Sequence, residues 1–262
     1  MAMQHQPVTI SNTELHIVSS EIVGDQFRIC VALPKNYADT TKRYPVVYLL
    51  DANIFFGLMT DTARLLQFGH EIPELILVGI GYPDDDQHLT LRNRDYGPTP
   101  YDMPEIAGGA EHFLAFLQQE LQSYLEEQYR IDSDDRVLVG DSTSGLFALY
   151  TLFHQPEAFR RYIIGSPSIY WDDAVTFEYE ARYAARHTDL PATVFLSVGA
   201  LEAIFEPGFA AMVSNVAKLT ETLTSREYPS LNLISHIFDN ETHLSVIPAT
   251  MSRGLRAVFT DE

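Results

Sequence analysis

The sequence predicts an α/β fold, a mostly parallel sheet of about eight strands with helices on both faces. Three observations predict it. Short β-branched and aromatic runs recur along the chain without polar alternation, as strands buried on both faces require. Segments of helical period separate those runs. The opening residues are different: two partly alternating runs there suit an antiparallel pair at a sheet edge.

That edge pair is read at Val8–Ser19 and Phe27–Leu33, with a Gly-Asp turn between them. Pro45–Leu50 (PVVYLL) is the first buried run; Leu75–Ile80, Arg136–Val139, Arg161–Ile164 and Thr193–Val198 resemble it, and Leu231–Phe238 suits one more. Helical period is seen over Phe55–Phe68, Gly145–Phe153, Phe209–Leu223 and Pro248–Phe259. It is clearest over Gly109–Tyr129, where Phe113, Phe116, Leu117, Leu121, Tyr124 and Leu125 share a stripe. Two antiparallel strands followed by about six in βα alternation match the sheet of an α/β-hydrolase rather than a closed barrel. No linker, repeat or low-complexity tract divides the chain, so residues 1–262 are expected to form one domain.

Charge and composition narrow the function. With 17 Lys and Arg against 36 Asp and Glu, the formal charge is −19. Such a field repels phosphate backbones and anionic lipid surfaces, so neither nucleic acid nor a membrane surface is an expected partner. The run Asp84, Asp85 and Asp86 reads as solvated loop. A lone cysteine, Cys30, excludes an intrachain disulfide and reads as a buried core thiol. No basic segment followed by an apolar stretch opens the chain and no window reaches about 18 apolar residues, which points to the cytoplasm. No His/Cys cluster, G-x-G-x-x-G or P-loop motif is present, so no metal or nucleotide cofactor is expected. Oligomeric state is open, and a homo-oligomer is compatible with the sequence.

The chemistry centres on one turn. Arg136–Gly140 ends a strand and Asp141-Ser142-Thr143-Ser144-Gly145 follows it into a helix. A serine hydroxyl is a poor nucleophile unless it is exposed, beside a base and facing oxyanion donors. A sharp strand-to-helix elbow meets those needs, with small residues two places before and after the serine to avoid clashes. Gly140 supplies the first, but position 144 is Ser where G-x-S-x-G has Gly. Taken alone, the same residues fit an ordinary helix cap equally well.

Eight segments in order lend the turn its context: YPVVYLLDAN (Tyr44–Asn53), VGIGYP (Val78–Pro83), RNRDYGPTP (Arg92–Pro100), GGAEHFLAFLQQEL (Gly108–Leu121), GDSTSGLFALYTL (Gly140–Leu152), SPSIYWDD (Ser166–Asp173), FLSVGALE (Phe195–Glu202) and ETHLSVIPATMSRGLRAVF (Glu241–Phe259). Together they resemble the esterase D family of α/β-hydrolases, and within it the enterochelin (siderophore) esterase-like branch. By that resemblance Ser142 is the nucleophile. Three departures stand out: Asp141 replaces a common His, Ser144 a Gly, and Ala52 the Gly of an LDGN-type loop.

The family order Ser…Asp/Glu…His puts the base after the last strand, where His243 lies in T-H-L-S-V. Glu202 matches V-G-x-x-E and is the expected acid, with Glu206 in reserve and Asp239 and Glu241 as weaker candidates. The oxyanion donors should be backbone amides of Thr143 and of Ala52 or Asn53, while Asp51 reads as a loop organiser. Arg92 and Arg94, in a segment read as a polar loop, are candidates for recognising an anionic substrate, although an Arg94–Asp95 structural pair fits as well. Tyr170 and Trp171 either wall the substrate pocket or pack a lid helix into the core.

The expected activity is hydrolysis of a small-molecule carboxylic ester, siderophore-like or short acyl, through an acyl-enzyme on Ser142 with His243 as base. Only three lysines, Lys35, Lys42 and Lys218, are available for a polyanionic ligand. Two rivals remain: an acyltransferase with the same triad, and a decayed site retained for binding or scaffolding.

Overall fold

The computed structural model describes residues 7–101, 107–205 and 211–260. Strand β1 (Thr13–Ser20) leads into β2 (Asp25–Ala32), then β3 (Tyr44–Leu49), helix α1 (Ala52–Phe68), β4 (Ile76–Gly81) and α2 (His88–Tyr96). A long helical segment comes next: α3 (Ala110–Ala115), a π-helical stretch (Phe116–Leu121) and α4 (Gln122–Gln128). After it come β5 (Ile131–Asp141), α5 (Thr143–His154), β6 (Arg161–Gly165), the short α6 (Trp171–Ala174), α7 (Thr176–Ala184) and β7 (Ala192–Gly199). The chain closes with α8 (Glu202–Phe205), α9 (Met212–Arg226), β8 (Leu231–Phe238) and α10 (Ile247–Phe259).

All eight strands expected from the sequence form, in the order β1-β2-β4-β3-β5-β6-β7-β8. β2 runs antiparallel to both of its neighbours and every other pair is parallel. Strand period sorts the core onto two faces. Val46, Tyr48 and Leu50 join one apolar cluster with Phe113, Phe116 and Leu117, with Phe147 and Leu152 of α5, and with Val216 and Leu219 of α9. Val47 and Leu49 join the other, with Met59, Ala63 and Leu66 of α1 and with Met251, Leu255 and Val258 of α10. A sheet covered on both sides explains why its strands read as unbroken apolar runs.

Strand order reverses between β3 and β5: β4 lies on one side of β3 and β5 on the other. The helices that follow, α1 and α5, pack on opposite faces. In open α/β sheets the crevice at such a switch point, beyond the carboxyl ends of the strands, is where ligands bind. The β3–α1 connection and the β5–α5 turn meet there.

Three expectations need correction. The segment holding Arg92 and Arg94 is helix α2, not loop; its residues HLTLRNRDY carry no apolar stripe, and burial of His88, Asp95 and Tyr96 holds it in place instead. Cys30 is only half-buried, at an edge where β1 is its single outer neighbour, although burial still raises its thiol above the usual value despite Arg28 nearby. Helix α1 starts at Ala52 rather than Phe55, because Asp51 turns the chain at φ +54° and its carbonyl accepts the amides of Ile54 and Phe55. No helix among the described residues is long and apolar enough to cross a membrane.

Candidate active site

Ser142 lies between β5 and α5 with φ +61° and ψ −118°. Positive φ is uncommon for a residue with a side chain and persists only where the surroundings enforce it. Here they do: the Ser142 amide donates to the Gly165 carbonyl at 3.0 Å, and the Ser142 carbonyl accepts the amides of Leu146 and Ser168, each at 3.0 Å. Gly140 is obligatory to this turn, since a Cβ there would sit 2.3 Å from the Ser144 carbonyl oxygen. The turn is therefore an elbow, not an ordinary cap, and no side chain caps α5. Oγ of Ser142 has the buried Ser168 hydroxyl 3.4 Å away.

Glu202 and His243, 41 residues apart, meet in the fold. Glu202 is fully buried, and its Oε2 lies 2.9 Å from His243 Nδ1. An ionised carboxylate only accepts, so in the neutral imidazole the proton sits on Nδ1 and Nε2 is the accepting nitrogen. The second carboxylate oxygen accepts the Ser166 hydroxyl at 2.6 Å and the Gly199 amide at 2.7 Å. A Cβ at Gly199 would lie 2.5 Å from the Glu241 carbonyl, so glycine lets the acid loop approach the base loop. Glu241 turns its own carboxylate to Ser245 instead, and Glu206 lies outside the described residues.

Two helix starts converge beside Ser142. Thr143 is the first residue of α5, and Ala52 and Asn53 are the first two of α1. Amides in a helix's first turn have no carbonyl four residues back to bond, and the helix dipole makes this end favourable for an anion. Asn53 is anchored by its side chain, which accepts the Tyr82 amide at 2.7 Å and donates to the Tyr82 carbonyl at 2.9 Å. The positive φ of this loop falls on Asp51, so Ala52 needs no glycine.

Beneath the two helix starts is a buried polar network. The Asp51 carboxylate, 1% exposed, takes a two-pronged bond from Arg92 (Nε 2.7 Å, Nη2 2.8 Å), the Ser144 hydroxyl at 2.7 Å and His88 Nε2 at 3.1 Å. Burial alone would raise its pKa; Arg92, with His88 and Ser144, instead holds it far below the usual carboxylate range. Arg92 also donates to Thr143 Oγ1 at 3.1 Å. Asp51 is thus a loop organiser, as its place in the sequence suggests.

Asp141, beside the nucleophile, is buried with one carboxylate oxygen unpaired. Burial, with Glu202 and Asp51 close by, pushes its pKa up to about 7 against the opposing pull of His243 and Arg92. The carboxyl is therefore largely protonated in mildly acidic solution, which limits the negative charge near the elbow.

The other sequence candidates divide. Arg92 reaches the site, but its fork is occupied by Asp51 and Thr143. Arg94 is held by Asp95 (2.7 and 3.0 Å) and by Asp25 at 2.7 Å, the structural pairing rather than an anion site. Trp171 is buried, donates its indole N–H to Thr99 at 3.0 Å and packs against Tyr101. Tyr170 is half-buried against the same apolar cluster as α5. Sequence reasoning missed Ser166, Ser168 and the Asp51–Arg92–Ser144 network; the paired serines of SPS straight after β6 were the available signal for the first two. A cavity of about 1140 Å³ opens at the opposite, amino edge of the sheet near Pro45, Asp135 and Arg161, away from all these groups.

Sheet order, the strained serine at the switch point and the helices on both faces define an α/β-hydrolase fold. A family model described as "Putative esterase" matches residues 20–233, and the chain belongs to that family, in its enterochelin esterase-like branch. The ferri-bacillibactin esterase BesA of Bacillus subtilis is 31% identical over 264 residues, covering 95% of this chain and 90% of that protein. The siderophore triacetylfusarinine C esterase of Aspergillus fumigatus is 28% identical, covering 97% of this chain and 96% of that protein. Among solved structures, the BES protein from Bacillus cereus superposes with a TM-score of 0.87 at 30% identity, over 100% of both chains. The protein is an esterase, a carboxylic-ester hydrolase.

Proposed function

We propose that Ser142 is the nucleophile of this esterase, His243 its general base and Glu202 the acid that orients the base. The carrying observation is the buried Glu202–His243 pair, which fixes the imidazole tautomer with its accepting nitrogen away from the carboxylate. In the proposed cycle His243 takes the Ser142 proton as Oγ attacks the ester carbonyl. The oxyanion rests on the amides of Thr143 and of Ala52 or Asn53. His243 returns the proton to the leaving alcohol, then takes one from water as it attacks the acyl-Ser142 carbonyl, and passes that proton to Ser142 Oγ as the Oγ–acyl bond breaks and the acid leaves.

For the substrate, the named relatives support a siderophore-type ester. Arg92 and Arg94 are both engaged by carboxylates, so the binding of a polyanionic ligand would fall to other residues, and uncharged faces of the substrate suit this site better. An intact elbow and a paired acid and base argue against a decayed site. The test is product analysis on p-nitrophenyl acetate, p-nitrophenyl butyrate and cyclic triester siderophores, with and without iron. The reading expects hydrolysis that Ser142→Ala lowers by about 10³-fold or more; full activity in that variant would overturn it.

A further inference from the structure

Ser144 breaks the glycine pattern of nucleophile turns, yet it is completely buried and its hydroxyl bridges two segments. Its oxygen accepts the Asp141 amide at 2.8 Å. Its single proton has two acceptors within reach, Asp51 Oδ2 at 2.7 Å and the Asp141 carbonyl at 2.8 Å. The carboxylate is the stronger acceptor, and the Asp141 carbonyl has Arg92 Nη2 3.4 Å away as a second donor.

The bridge matters because of what it joins. Ladder pairing between β3 and β5 ends at Leu49 and Val139, with one more bond from the Leu50 amide to the Val139 carbonyl at 3.0 Å. Past that point α1 and α5 diverge onto opposite faces of the sheet. The amide of Thr143 moves with α5, and those of Ala52 and Asn53 move with α1. Their relative position then depends on side chains: Ser144 to Asp51, and Arg92 from Asp51 to Thr143 Oγ1.

We infer that Ser144, together with Asp51 and Arg92, is a positioning clamp that fixes the β3–α1 loop against the nucleophile turn and so sets the spacing of the two oxyanion donors. This rests on the serine-esterase reading above. The serine at 144 is then a second way of building the elbow: a small side chain that fits at the second position of α5 and carries the hydroxyl that ties the two loops. Donors displaced by a fraction of an ångström stabilise the oxyanion less without loosening the ground-state substrate.

The test compares wild type with Ser144→Ala and Ser144→Gly on p-nitrophenyl acetate, with folding checked by circular dichroism. A trifluoromethyl ketone, whose tetrahedral adduct places an oxyanion in the same hole, serves as inhibitor. Both variants should lose about 10–100-fold in kcat with KM changed less than about threefold, and inhibitor affinity should fall in step with kcat. Restoring the pattern glycine should give no recovery. Unchanged kcat, or a loss confined to KM or thermal stability, overturns the clamp while leaving the esterase reading intact. If neither variant folds, Arg92→Lys, which keeps the charge on Asp51 but lacks the fork that reaches Thr143, must show the same kcat and inhibitor pattern or the clamp fails. Absence of Ser142-dependent hydrolysis in the wild type is the separate result that sinks the mechanism itself.

Discussion

Glu202→Gln isolates the buried carboxylate with little change in shape. In the native protein Glu202 accepts three hydrogen bonds, from Ser166 at 2.6 Å, Gly199 at 2.7 Å and His243 at 2.9 Å. The Gly199 donor is a backbone amide that cannot rotate away, so the glutamine carbonyl must stay on it and its NH2 must face His243. An NH2 group only donates. Nδ1 of His243 must then become the acceptor, which moves the imidazole proton to Nε2 and removes the lone pair that, in the proposed cycle, takes the Ser142 proton. The analogous change of acid to amide in a serine protease lowers kcat about 10⁴-fold with geometry intact, so a loss of about 10³–10⁴-fold is expected here. Hydrogen bonds to a charged group contribute about 1.5–3 kcal/mol each, and weakening them should also lower the thermal midpoint by several degrees. The assay is steady-state hydrolysis of p-nitrophenyl acetate at saturating substrate, with thermal unfolding followed in parallel. A folded variant retaining kcat within about tenfold of wild type would refute the assignment of Glu202 as the orienting acid.

Three other perturbations give separate outcomes. Asp141 has a folded-state value of about 7 against an ordinary 3.8, so between those pH values the folded protein holds a proton the unfolded chain has lost, and stability falls as pH rises through that window. At 1.36 kcal/mol per pH unit the gap is on the order of 4 kcal/mol; Asp141→Asn should therefore unfold at higher urea than wild type at pH 8 and at similar urea near pH 4, whereas parallel pH profiles would contradict the burial argument. Arg92→Ala leaves the Asp51 carboxylate buried without its counter-ion and should cost about 3–5 kcal/mol of unfolding free energy in urea titration; a loss under about 1 kcal/mol would show that the pair contributes little. Gly140→Ala puts a methyl 2.3 Å from the Ser144 carbonyl oxygen, so the elbow must open and esterase activity should fall below about 1% of wild type even in protein that still folds by circular dichroism.

The sheet was legible because each of its buried runs carries its own signal, and the leading edge pair differs from them in alternation. The placement of Ser142, Glu202 and His243 in turns after β5, β7 and β8 was legible from their order along the chain together with the motifs around them. Helix α2 was not: burial of three polar or aromatic side chains fixes it, and no 3.6-residue stripe announces that. The Asp51–Arg92 pair joins residues 41 apart with no periodic relation, so only the fold brings them together. Arg94 shows the converse, a cation that looks available in sequence and is closed off by Asp95 and by Asp25 on β2. Ser144 read as an imperfection because a pattern records which residue is usual, not which contacts a replacement gains.

Covalent capture of the serine tests the central claim most directly. Treating the purified protein with a fluorophosphonate and locating the adduct by peptide mass spectrometry should give a single modified residue, Ser142, with labelling lost in Ser142→Ala and slowed about 10³-fold or more in His243→Ala. No adduct, or an adduct that persists on another residue in Ser142→Ala, would contradict the account.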